Sequence, residues 1–132
     1  MRNVCTFLFF LYLFCFGFTA PNAQVRVVDG DTIHIGQDKY RLEGIDAPEM
    51  RQECLYKGEQ WKCGIESTKS LRKQIALTSQ LRCEGDRKDS YGRILAICFL
   101  GGKDINAWMV KNGWALAYVK YSKKYLKEQR HA

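Results

Sequence analysis

Three short stretches of alternating polarity follow one another within about twenty residues, and they leave few folds open to this chain. QVRVV (24–28) alternates polar and apolar side chains, as a half-buried strand does. TIHIG (32–36) alternates again, with Ile33 and Ile35 on one face. YRLEGI (40–45) puts Leu42 on one side and Arg41 with Glu43 on the other. The segments between them, DGD (29–31) and GQDK (36–39), have turn composition. Strands this short joined by turns this tight read as an antiparallel meander.

The rest of the chain alternates between the two periods. Gly58 to Leu77 reads as a helix, with Ile65, Thr68, Leu71, Ile75 and Ala76 on one stripe. QLRCEG (80–85) and RILAICFL (93–100) read as strands around the polar loop DRKDSYG (86–92). DINAWMVKNG (104–113) reads as a short helix, capped by Asp104 or Asn106 and ended by Gly113. The tail YSKKYLKEQRHA reads as another helix, with Tyr121, Tyr125 and Leu126 inward. Three strands, a helix, two strands and then helices make an α+β chain. A five-stranded OB-fold β-barrel with three helices, one inserted between strands three and four, is the expected architecture.

The first 23 residues are of another kind. Arg2 is followed by an apolar run from Val4 to Phe18, long enough for a secretory h-region and short for a membrane span. Ala20 and Ala23 offer cleavage points, but Phe18 and Pro21 stand at their minus-three positions. Residues 1–23 are therefore read as a signal peptide or an N-terminal membrane anchor, and residues 24–132 as the folded domain. The expected location is secreted or periplasmic, and membrane-anchored if the leader is retained. Without Arg2, 20 Lys and Arg stand against 14 Asp and Glu, a balance of +6 that suits a polyanionic partner.

Four cysteines remain outside the leader, Cys54, Cys63, Cys83 and Cys98, and four allow three connectivities. No CxxC pair exists and His34 and His131 are poorly placed, which argues against zinc. Pairing the strands about the 86–92 loop sets Cys83 opposite Cys98. That favours Cys83–Cys98, with Cys54–Cys63 clipping the loop before the first helix.

The stretch RLEGIDAPE (41–49) spaces Glu43, Asp46 and Glu49 three apart, yet Gly44 and Pro48 forbid one helical face. In a meander the ends of strands one and three lie side by side, so Asp31, Asp46 and Glu49 can converge. Clustered carboxylates repel unless a cation or arginines compensate. An all-oxygen set suits Ca²⁺ or Mg²⁺. Arg41 would point into the same region, and Arg93 would enter from the far loop. Carboxylates, a divalent cation and two arginines together suit phosphoryl hydrolysis. Glu43 takes no role in this reading. His34 reads as an outward strand residue and His131 as tail. Trp61, Trp108 and Trp114 read as packing residues rather than base platforms.

In this order and spacing, VVDGDTIHI (27–35), YRLEGIDAPE (40–49), DSYGRILA (89–96) and NAWMVKNGWALAYV (106–119) resemble the staphylococcal nuclease (thermonuclease) family, in its exported bacterial form. The resemblance covers about residues 24–126. It implies an OB-fold and a Ca²⁺-dependent phosphodiesterase that cuts DNA and RNA and leaves 3′-phosphates. By position, Asp31 and Asp46 would hold calcium with the Ala47 carbonyl, and Asp29 would support them. Glu49 would act as general base or position the water. Arg41 and Arg93 would grip the phosphate, and Tyr91 and Tyr118 would lie by the nucleotide. Lys120 replaces a family tyrosine, and the chain ends at EQRHA, where many relatives continue the last helix; the expected cost is lost packing. A monomer is expected. Two other readings differ in kind. One is an OB module that binds nucleic acid without cutting it. The other is a membrane-tethered structural protein of the envelope.

Overall fold

The computed structural model describes residues 23–132. The leader, with its cleavage points, lies outside the described residues apart from Ala23. A meander of β1 (Val25–Asp29), β2 (Thr32–Ile35) and β3 (Asp38–Leu42) leads into a short β4 (Ile45–Asp46). A hairpin of β5 (Cys54–Tyr56) and β6 (Glu59–Trp61) precedes α1 (Cys63–Ala76). Then come β7 (Leu81–Lys88), β8 (Ile94–Leu100), β9 (Lys103–Asp104), α2 (Ile105–Lys111), β10 (Leu116–Ala117) and α3 (Leu126–Arg130).

The main sheet runs β1-β2-β3-β8-β7, with β9 also on β8. All neighbours are antiparallel except β3 and β8, which run parallel after the α1 crossover. The α+β class with three helices holds, and two features of the expected barrel are corrected. Among the described residues the sheet ends at β1 and β7 without closing, and five further short strands supplement the five long ones. Edge strand β7 carries Arg82, Glu84, Asp86, Arg87 and Lys88 in an irregular register between Glu84 and Arg87, features that discourage further pairing.

The helix begins later than its composition suggests. Lys57 and Gly58 both take positive φ (51° and 84°), the backbone of a two-residue hairpin turn, so Gly58–Trp61 is turn and strand. The buried face of α1 is Cys63, Gly64, Ser67, Thr68 and Leu71, with Ile75 packed beside the core. Ile65 is only half-buried and Ala76 is exposed. Small residues face inward because two loops lie directly against the helix. A β-carbon on Gly64 would stand 1.7 Å from the Glu49 carbonyl oxygen, and one on Gly30 would stand 2.1 Å from Ser67 Oγ.

The core joins Val27, Ile33, Leu42 and Ile45 of the meander to Leu71 of α1, Ala96, Cys98 and Leu100 of β8, and Ile105, Met109 and Val110 of α2. Asp104 caps α2, accepting from the Ala107 N–H at 2.9 Å, while Asn106 is buried. Gly113 follows the helix at φ 75°. In the tail only Leu126–Arg130 is helical, and Tyr121 is exposed rather than inward. Tyr125 is the tail's anchor, donating to Asp104 at 3.0 Å. Disulfides join Cys54 to Cys63 and Cys83 to Cys98, the second pair directly opposite each other across β7 and β8.

Candidate active site

The turn after β1 and the chain leaving β3 meet at one guanidinium. Arg41 Nη1 donates to the carbonyls of Leu42 (2.8 Å) and Ile45 (2.9 Å), which fixes the side chain. Its Nη2 then stands 3.1 Å from Asp31 Oδ2 and 3.5 Å from Asp46 Oδ1. Asp31 also accepts from the Ala47 N–H at 2.8 Å and from the Thr32 hydroxyl at 3.1 Å. Asp29 Oδ1 accepts from the Asp31 N–H at 3.1 Å and so shapes the turn. Asp31, Asp46, Ala47, Arg41 and Asp29 are thus brought together.

Arg93 reaches the group through Thr32, its Nη1 lying 3.4 Å from the Thr32 hydroxyl. Asp89 aims it: Oδ2 accepts from Arg93 Nε at 2.7 Å, while Oδ1 accepts the backbone N–H groups of Tyr91 and Arg93. Tyr91 is exposed, with the Arg93 guanidinium carbon 5.3 Å from its ring centre. Glu49 is exposed on the loop that follows β4. Its N–H donates to Gln52 Oε1 and its carbonyl accepts the Gln52 N–H, and no described side-chain bond ties its carboxylate to Asp31 or Arg41. Tyr118 donates its N–H to the Gly44 carbonyl just before β4, and its ring meets Tyr121 edge to face at 4.8 Å.

Several contributors escape sequence reasoning. Thr32 links the two halves of the site. Buried Asn106 donates to Glu43 and Ala96 and accepts from the Cys98 N–H, locking the end of β3 to β8. Glu43 ion-pairs with Arg87. Gly30 and Gly64 let both loops sit on α1. The one available signal was DSYGR, where an aspartate four residues before an arginine can hold it across a turn. His34 lies beside Arg26 Nη2 at 2.8 Å, away from this group, and its pKa is lowered by burial, Arg26 and Lys39.

Burial pushes Asp31 up to about 7. Arg41 and the Ala47 N–H pull the other way without compensating, and Asp29 adds to the rise. A hard cation would favour the ionised form of such a carboxylate, and Asp31, Asp46 and the neighbouring carbonyls form an oxygen donor set of the right chemistry. Among the described residues, however, no three His, Cys, Asp or Glu side chains are gathered closely enough to hold an ion unaided. Main-chain oxygen or water would have to complete the shell.

The staphylococcal nuclease homologue family matches residues 39–132. The chain is 41% identical over 99 residues to the thermonuclease of Staphylococcus intermedius, covering 70% of this chain and 56% of that protein. It is 40% identical over 95 residues to the succinoglycan biosynthesis protein ExoI of Rhizobium meliloti (strain 1021), covering 70% and 50%. It is 33% identical over 122 residues to the SPbeta prophage-derived endonuclease YokF of Bacillus subtilis (strain 168), covering 81% and 39%. The chain spans about half the length of these curated relatives.

Proposed function

Since the chain belongs to the staphylococcal nuclease family, we propose that it is a Ca²⁺-dependent nuclease that hydrolyses phosphodiester bonds of DNA and RNA and leaves 3′-phosphates. The observation that carries this reading is the shared guanidinium: Arg41 spans buried Asp31 and exposed Asp46 while two backbone carbonyls fix it in place. Asp31, Asp46 and the Ala47 carbonyl would hold the Ca²⁺, which when bound polarises a phosphate oxygen. Arg41 and Arg93 would bind the substrate phosphate and offset charge developing on it, Arg93 being oriented for this by Asp89. Glu49, exposed on its loop, would accept a proton from water or orient it. Tyr91 and Tyr118 would flank the nucleotide.

Two disulfides support an oxidising compartment. With residues 1–23 read as a leader, the protein would be secreted or periplasmic, and anchored if that leader stays attached. It would act as a monomer.

The test uses the oxidised chain from Gln24 onward with single-stranded DNA and with RNA. Cutting in Ca²⁺ that stops in EGTA, and falls by orders of magnitude in Glu49→Gln, is the expected result. A folded protein that binds DNA without cutting it would be a binding module instead.

A further inference from the structure

A cleft of about 260 Å³ borders Asp46, between the β5–β6 hairpin and the chain that follows α2. Two of its lining residues are tryptophans. Trp61 comes from β6 and keeps 38% of its surface exposed, and Trp114 comes from the turn after Gly113 and is half-buried. Leu116 and the Cys54–Cys63 bridge add apolar surface, and Gln52 adds an amide. Among the described residues that line the cleft, Asp46 alone is charged.

That lining selects by chemistry. No cation lines it to attract a phosphate, and its one carboxylate repels anions. Tryptophan and aliphatic lining residues favour a flat, uncharged ring. The volume suits one small ring system rather than a larger ligand. The cleft also shares Asp46 with the phosphate-binding arginine, whose Nη2 stands 3.5 Å from that carboxylate. A strand whose phosphate rests on Arg41 would bring a neighbouring base to this opening.

The walls are held in advance of binding. Cys54 lies opposite Trp61 in the hairpin register, so the bridge to Cys63 ties the backbone beside Trp61 to the first residue of α1. The Ser67 hydroxyl of the same helix donates to the Trp114 carbonyl at 2.8 Å. Walls fixed this way lose little freedom when a ring enters.

We propose that the Trp61–Trp114 cleft is a subsite for an unstacked nucleobase adjacent to the nucleotide being cut. The proposal rests on the nuclease reading of Arg41 and Asp46. It gives Trp61 and Trp114 a role beyond packing, although Trp114, like Trp108, also lies against the core.

The test is equilibrium binding of the full oxidised chain in EGTA, so that nothing is cut. The probes are a short oligothymidylate and the same backbone carrying abasic sugars, and the readouts are Kd and tryptophan fluorescence. The expected result for wild type is quenching by the thymidylate and binding weaker by about five- to a hundredfold for the abasic strand. Trp61→Ala would lose that preference while keeping the abasic affinity, which also shows that it is folded. Trp61→Phe would recover most of the preference. An unchanged preference in folded Trp61→Ala overturns the subsite even if the enzyme cuts normally in Ca²⁺. If wild type binds neither probe and cuts nothing in Ca²⁺, the nuclease reading falls and the subsite falls with it.

Discussion

Arg41 is the residue whose replacement is most informative, because its two ends do different work. Nη1 satisfies the Leu42 and Ile45 carbonyls, and Nη2 serves Asp31 and Asp46. A lysine keeps the charge but has no planar fork to span four partners. Arg41→Lys is expected to lower kcat by about 10²- to 10³-fold, the range for losing one oriented donor to developing charge. It is also expected to lower the urea midpoint, since a partly buried carbonyl loses its donor. A kcat that survives the change would remove Arg41 from the chemistry. Asp89 makes a separate, pH-dependent prediction. Its partial burial alone would raise its pKa. The backbone and side-chain bonds from Arg93 and the Tyr91 N–H outweigh that, and the net shift is downward. A lowered folded pKa contributes stability above the unfolded value of about 3.8, and that contribution is lost as pH falls through the lower folded value. Wild type should therefore lose stability relative to Asp89→Asn as the pH drops from about 5 to about 3. Parallel urea curves for the two proteins over that interval would contradict the shift.

Helix α1 acts as the bench on which both acidic loops rest, and glycine is what allows the approach. A β-carbon at Gly30 would stand 2.7 Å from the Ala47 β-carbon as well as meeting Ser67, and one at Gly64 would run into the Glu49–Met50 backbone. Gly30→Ala and Gly64→Ala should each cost about 1–3 kcal/mol in urea denaturation, as overpacking does. They should differ in the site: Gly30→Ala displaces Ala47 and weakens Ca²⁺ binding by calorimetry, whereas Gly64→Ala displaces Glu49 and acts mainly on kcat. Equal effects on both readouts would mean that the loops move as one. The same elements show what a sequence discloses. The meander, α2 and the DGD and IDAPE loops were legible, because alternation and turn composition are local signals. The Lys57–Gly58 turn was not, because a lysine at positive φ carries no compositional mark. The inward face of α1 was misjudged toward Ile65, because apolar periodicity cannot show that a loop will press on Gly64 and Ser67. Thr32 and Asn106 were missed for a related reason. A polar side chain gains its part only from partners distant in sequence, such as Arg93 and Glu43.

A domain of this size buries a modest core, so covalent and tail contacts bear on its stability. Tyr125 connects the tail to α2, and α3 adds Gln129, whose Oε1 accepts the Ala117 N–H. The two disulfides close similar separations, 9 and 15 residues, and chain entropy alone would assign each about 3 kcal/mol. Their surroundings differ. Cys98 is fully buried in β8, and its bridge reinforces a strand pair that is already long and hydrogen-bonded. Cys54–Cys63 holds a hairpin of three-residue strands whose Leu55 and Tyr56 face solvent, so little else fixes it. That hairpin borders Asp46 and adjoins the loop carrying Glu49. Cys83→Ala/Cys98→Ala should therefore lower the urea midpoint with kcat and KM nearly unchanged. Cys54→Ala/Cys63→Ala should produce a comparable or smaller loss of stability together with a raised KM, because the substrate must then order the hairpin itself. Measuring denaturation and steady-state kinetics on both variants separates a bridge that steadies the sheet from one that shapes the site. A raised KM in the Cys83–Cys98 variant alone would reverse that assignment.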